Sequence, residues 1–137
     1  MKIFVIFTGG TIGSCVSDGW IAPHLSAAHK LLQGYKDASQ KGITFDTAEP
    51  YTILSENLQA EHINMLTDEI EKGIRLGYEG IIVAHGTDTL QYSAAATAFC
   101  LGCDCPPVVF VSANFTLEDE RSNGYANFEA AVEFILS

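Results

Sequence analysis

Three short runs constrain this chain most: IFVIF at 3–7, IIVA at 81–84 and VVFV at 108–111. None contains a polar residue that could face water, so each run must be covered on both sides. Strands of that kind belong to a parallel sheet sandwiched between helices. The stretch 43–54 reads as a further strand or two, interrupted by Pro50. Helical patterns lie between the runs. Residues 59–76 put Ile63, Leu66, Ile70 and Ile74 on one stripe, with Glu61, Asp68, Glu69, Glu71 and Lys72 mostly off it, and Gly77 follows as a C-cap. Residues 89–102 are alanine-rich, and Pro106-Pro107 forbid any continuation. Residues 124–136 place Phe128, Ala131, Val132 and Ile135 on one face.

The order β-α-β-α-β-α predicts an α/β fold: a doubly wound, mostly parallel sheet with helices on both faces, Rossmann- or flavodoxin-like. The 137 residues suffice for one domain with a real core, and 47% apolar against 18% charged residues is a globular composition. The last helix runs to Ser137 with neither a capping glycine nor a polar tail, so residues 1–137 are expected to be an incomplete piece of a larger α/β domain.

A net charge of −10 with only seven basic residues argues against nucleic acid and against anionic membranes as partners, because both demand Lys and Arg. No run is long enough to span a bilayer, and IFVIF is too short for a secretory apolar core. The four cysteines are expected to be reduced thiols of a cytoplasmic protein. Three of them form C-x-x-C-x-C at 100–105, but a metal site needs a fourth ligand, and no metal or cofactor is expected. TGGTIG at 8–13 lacks the Gly-Lys-Ser/Thr of a P-loop and is no GxGxxG.

In open α/β sheets ligands bind beyond the carboxyl ends of the strands. TGGTI follows the first strand, SEN (55–57) follows the 43–54 segment, HGTDTL follows the strand at 81–84, and SAN (112–114) follows the strand at 108–111. Four polar clusters therefore converge on one rim. Thr11 and Thr87 each follow glycine, an arrangement that serves either a turn and cap or an activated nucleophile with main-chain N–H groups near an oxyanion. Asp88 fits a helix start, or the holding of a substrate ammonium. Glu56 fits a solvated loop, or a cation partner beside Ser55, and a site with both features suits an amino acid. His85 reads as a satisfied, partly buried histidine or as a base.

Taken together, TGGTIG at 8–13, ILSENL at 53–58, HGTDTL at 85–90 and RSNGYANFEAA at 121–131 resemble the bacterial-type L-asparaginase family over essentially the whole chain, as the front portion of its N-terminal domain. The resemblance implies an amidohydrolase that converts L-asparagine to L-aspartate and ammonia through a threonine acyl-enzyme, with L-glutamine as a minor substrate. By that likeness Thr11 is the nucleophile, Thr87 the second catalytic threonine, and Asp88 its neighbour, which also binds the substrate α-amino group. Ser55 would bind the α-carboxylate and Glu56 the α-amino group, while main chain around Gly10, Thr87 and Ala113 would hold the amide and its oxyanion. The resemblance also implies a homodimer or homotetramer and a smaller C-terminal domain, which is expected to lie outside residues 1–137. Two departures stand out. SDGWIAP puts Trp20 where the family has a lid tyrosine, and indole cannot serve as a phenolic base. The family's catalytic lysine lies beyond the matched region. The asparaginase-like subunit of a tRNA-dependent amidotransferase shares both signatures, and an inactive amino-acid-binding remnant is the non-enzymatic alternative.

Overall fold

In a computed structural model the backbone is described for residues 1–17, 20–23, 30–35 and 42–137, and the side chains for 1–12, 30–35 and 42–137. Four strands, β1 (Lys2–Phe7), β4 (Thr44–Ala48), β5 (Gly80–Ala84) and β6 (Val108–Val111), form one sheet in the order β4-β1-β5-β6. Every pair in it is parallel. A separate antiparallel pair joins β2 (Ser14–Ser17) to β3 (Trp20–Pro23). The helices are α1 (residues 30–35), α2 (Ala60–Arg75), α3 (Leu90–Leu101) and α4 (Gly124–Leu136).

Strand alternation divides the core in two. Ile3, Val5 and Phe7 of β1, with Ile82 and Ala84 of β5, pack against Leu31 and Tyr35 of α1 and against Phe128, Ala131, Val132 and Ile135 of α4. Phe4, Ile6, Ile81 and Val83 face the other way, onto Leu66 and Ile70 of α2 and Leu101 at the end of α3. β1 and β5 are buried on both faces, as their uninterrupted apolar sequences require. The 43–54 stretch yields one strand, β4, and after Pro50 only an isolated bridge between Ile53 and Gly9.

The strand order places the site. The chain passes from β1 to β4 on one side, then crosses back to β5 on the other side of β1. The carboxyl ends of β1 and β5 therefore flank the point where the winding reverses, the crevice in which doubly wound sheets bind ligands. Among the described residues no helix is long and apolar enough to cross a membrane.

Candidate active site

The loops leaving β1 and β5 meet at two glycines. Gly10 adopts φ +70°, and a Cβ built on it would lie 2.4 Å from Gly86 Cα and 2.5 Å from Gly86 N. A Cβ on Gly86 would in turn lie 2.5 Å from Ser55 Cβ and 2.6 Å from Ser55 Oγ. Real Cβ atoms do not come that close, so only glycine allows the three loops to stack in this way. Gly10, Gly86 and Ser55 thus bring together the segments that carry Thr11, Thr87-Asp88 and Glu56.

Hydrogen bonds lock the stack. Thr8 donates to the Ala84 carbonyl through both N–H and Oγ1, each at 3.1 Å. Ile53 N–H donates to Thr8 O, and Gly10 N–H to Ile53 O, both at 3.2 Å. The Gly10 N–H is thus engaged within the fold. The buried Ser55 accepts the Asp88 N–H at Oγ (3.3 Å), and its carbonyl accepts the Thr89 hydroxyl (2.9 Å). A serine hydroxyl that accepts one hydrogen bond can still donate its own proton.

Thr11 is half-buried, whereas Glu56, Thr87 and Asp88 are exposed on the rim. The motif segments 8–12, 55–57, 85–90 and 112–114 contain two carboxylates, Glu56 and Asp88, and no Lys or Arg, a balance that favours an ammonium group. The N-cap of α3 is Thr89 rather than Asp88, and no side chain caps the helix. The Thr89 hydroxyl is spent on Ser55 instead, and the positive end of α3 faces the rim.

Ala113 is buried one strand further over, at the exit of β6, and α4 begins on top of it: a Cβ on Gly124 would lie 3.3 Å from the Ala113 Cβ. The 121–131 segment laces this loop down. Ser122 Oγ donates to Phe115 O (3.0 Å), Asn127 Nδ2 to Ser112 O (2.8 Å), and Asn114 N–H to Asn123 Oδ1 (3.2 Å). Lys30 pairs with Glu118 and ties α1 to the same loop. Trp20 opens β3, but its side chain lies outside the described residues, as do His24, His29, Lys36 and Lys41.

His85 is the satisfied histidine rather than an open base. Its ring is buried, with Nδ1 2.9 Å from Gly86 O and Nε2 2.9 Å from Ser93 Oγ. Burial lowers its pKa, so it is neutral at neutral pH. The Tyr51 hydroxyl is buried beside Thr8, out of hydrogen-bonding geometry, and burial pushes its pKa up to about 12. It stays protonated and supplies no base. Among the described residues no group of three or more His, Cys, Asp or Glu could hold a metal. Ile53, Thr89 and Ser93 support the site although the sequence alone assigns them no role: Ile53 and Thr89 lie inside ILSENL and HGTDTL, whereas Ser93 lies outside any motif, a small helix residue too ordinary to single out.

The asparaginase N-terminal family model matches residues 2–137. The chain belongs to the asparaginase family. It is 34% identical over 134 residues to a glutamyl-tRNA(Gln) amidotransferase subunit from Metallosphaera sedula, an alignment covering 96% of this chain and 30% of that protein. Its fold superposes on the thermostable L-asparaginase of Thermococcus kodakarensis with a TM-score of 0.87 at 28% identity, covering 98% of this chain and 40% of the other. L-asparaginase I of Vibrio cholerae gives 0.79 at 28% identity, covering 95% and 39%. The chain thus spans well under half the length of the relatives it matches.

Proposed function

We propose that this chain is the nucleophile-bearing front portion of an amidohydrolase that hydrolyses the side-chain amide of L-asparagine. The observation that carries the reading is the Gly10–Gly86–Ser55 stack, which brings the Thr11, Thr87-Asp88 and Ser55-Glu56 segments to one rim at the winding reversal. On this reading the Thr11 hydroxyl attacks the amide carbon, ammonia leaves, and water releases aspartate from the acyl-enzyme. Ser55 donates to the α-carboxylate, and Asp88 with Glu56 receives the α-ammonium. Because Gly10 N–H is engaged, the oxyanion takes its donor from the Thr87 main chain. The C-terminal domain, the oligomer and the family's lysine belong to this proposal and lie outside the matched residues. The exposed thiols of Cys100 and Cys103 suit the reducing cytoplasm.

Ammonia release from L-asparagine, with Thr11→Ala as control, tests the reading. Release that survives Thr11→Ala overturns it. Binding of L-aspartate without any release supports the same pocket acting as a binding remnant.

A second reading is favoured by the Metallosphaera relative: the asparaginase-like subunit of a tRNA-dependent amidotransferase. It predicts a preference for L-glutamine as ammonia source and a partner protein that copurifies.

A further inference from the structure

We propose that His85 and Ser93 form a positioning pair: the buried imidazole, fixed as its Nδ1–H tautomer by the Ser93 hydroxyl, holds the Gly86 carbonyl inward and so turns the Thr87 N–H out to the rim. The inference rests on the reading of the rim as an amide-binding site, but its geometry stands apart from any ligand.

Carbonyl oxygens only accept hydrogen bonds, so the 2.9 Å contact between His85 Nδ1 and Gly86 O requires the proton on Nδ1. A neutral imidazole with Nδ1–H presents Nε2 as an acceptor. Ser93 Oγ, 2.9 Å away, is then the donor. Ser93 is 0% exposed, and the ring packs beside Phe110 with centroids 6.2 Å apart. Both ring nitrogens are taken up by protein partners, so the tautomer is set by Ser93 and the Gly86 carbonyl together.

The consequence follows from peptide geometry. The Gly86–Thr87 bond is trans, so its C=O and N–H point in opposite directions. A carbonyl drawn inward to His85 forces the N–H of exposed Thr87 outward. Strand alternation explains why His85 can do this. Ile81 and Val83 face the α2–α3 side, and His85 continues that alternation one residue past β5, beneath the first turns of α3. The Gly86 Cα is meanwhile wedged against Gly10 and Ser55, which leaves rotation of the peptide plane as the local freedom, and His85 removes it.

The test is NMR on the labelled 137-residue chain. A long-range 1H–15N spectrum should show His85 protonated at Nδ1 and bare at Nε2. Ser93→Ala should mix the tautomers and shift the Gly86 carbonyl 13C and Thr87 amide resonances. His85→Asn, whose side-chain amide can still donate to Gly86 O, should keep both near their wild-type positions, while His85→Leu should move both. Resonances of Ile81 and Val83 should stay put, which separates positioning from general damage to the core. A wild-type Nε2–H tautomer, or a Gly86–Thr87 unit unmoved by Ser93→Ala, overturns the pair even if His85→Leu does not fold.

Titration with L-aspartate completes the test. It should move the amides of Ser55, Thr87 and Asp88 in the wild type, with the Thr87 response alone lost in His85→Leu. A Thr87 response that survives in His85→Leu overturns the pair. If aspartate moves no rim amide in the wild type, the functional reading fails, and the tautomer and carbonyl resonances still decide the pair.

Discussion

α2 and α3 lie on the same face of the sheet and contact each other, yet they are built in opposite ways. α2 is amphipathic. Leu66 and Ile70 are buried, and the outer side is laced by Lys72–Glu69 (2.6 Å) and Arg75–Glu71 (3.2 Å) pairs. Its start is sealed by a capping box between Gln59 and His62. α3 carries no charged residue from Leu90 to Leu101, and no side chain caps it. Its buried face holds the small polar Ser93 and Thr97, and its outer face shows Tyr92 and Phe99. α2 spends its polar groups on holding itself together. α3 leaves its first turn to the rim: Ser93 goes to His85, and Thr89 goes to Ser55. The difference teaches that stability and site geometry are carried by separate neighbours, and that claim can be broken by mutation.

The largest expected effect is on the α2 side. Ile70 is 0% exposed in the core under β1 and β5, so Ile70→Ala should cost about 3 kcal/mol in denaturant unfolding. The division of labour requires the His85 tautomer to persist in the folded fraction. Loss of that tautomer would show that the two helices share one task.

Next comes the rim. Gly86→Ala drives a Cβ into Ser55, whose backbone is held by Thr89 and Leu58, and should cost about 2 kcal/mol. Unlike Ile70→Ala, it should abolish L-aspartate shifts at Ser55 and Thr87. Intact aspartate shifts would mean that the glycine stack is a packing convenience rather than a part of the site.

The contrast between the helices also explains what could be read in the sequence. The apolar runs at 3–7 and 81–84 have one solution, a covered parallel sheet, whereas the equally apolar run at 108–111 forms the edge strand β6, of which only Val111 is buried; the 3.6-residue period of α2 is plain in its letters. The rim was legible because TGGTI, HGTDTL and SAN each directly follow a strand, whereas SEN comes seven residues after β4, just past the lone Ile53 bridge. The engagement of Gly10 by Ile53 was not, because it depends on a lone bridge after Pro50 that no local pattern encodes. Nor was the link from His85 to Ser93, since a serine in QYSAAATAF looks like any small helix residue until the strand exit is laid beneath it.

A smaller effect is expected at the start of α2. Gln59→Ala removes half of the capping box and should cost about 1 kcal/mol, with no change at Gly86 or Thr87. The corresponding change in α3, Thr89→Val, removes a bond to Ser55 rather than a cap, so it should register first in the Ser55 and Asp88 amides. If both variants merely fray their own helices, the proposed asymmetry between α2 and α3 is lost.

The smallest effect sharpens the comparison most. Phe99 is 91% exposed on α3, on a face where α2 would carry charge. An exposed side chain with nothing packed on it contributes little, so Phe99→Ser should shift unfolding by less than about 0.5 kcal/mol in dilute chain. Phe99→Ser should also leave the His85 tautomer alone, because the buried Ser93 lies on the sheet-facing side of the helix. A larger loss that grows with protein concentration would mean that this face is covered by another copy in solution. α3 would then be stabilised from outside, as α2 is by its own salt bridges, and its lack of charge would have a structural reason. A loss independent of concentration would place Phe99 in the core of its own chain, which its 91% exposure contradicts.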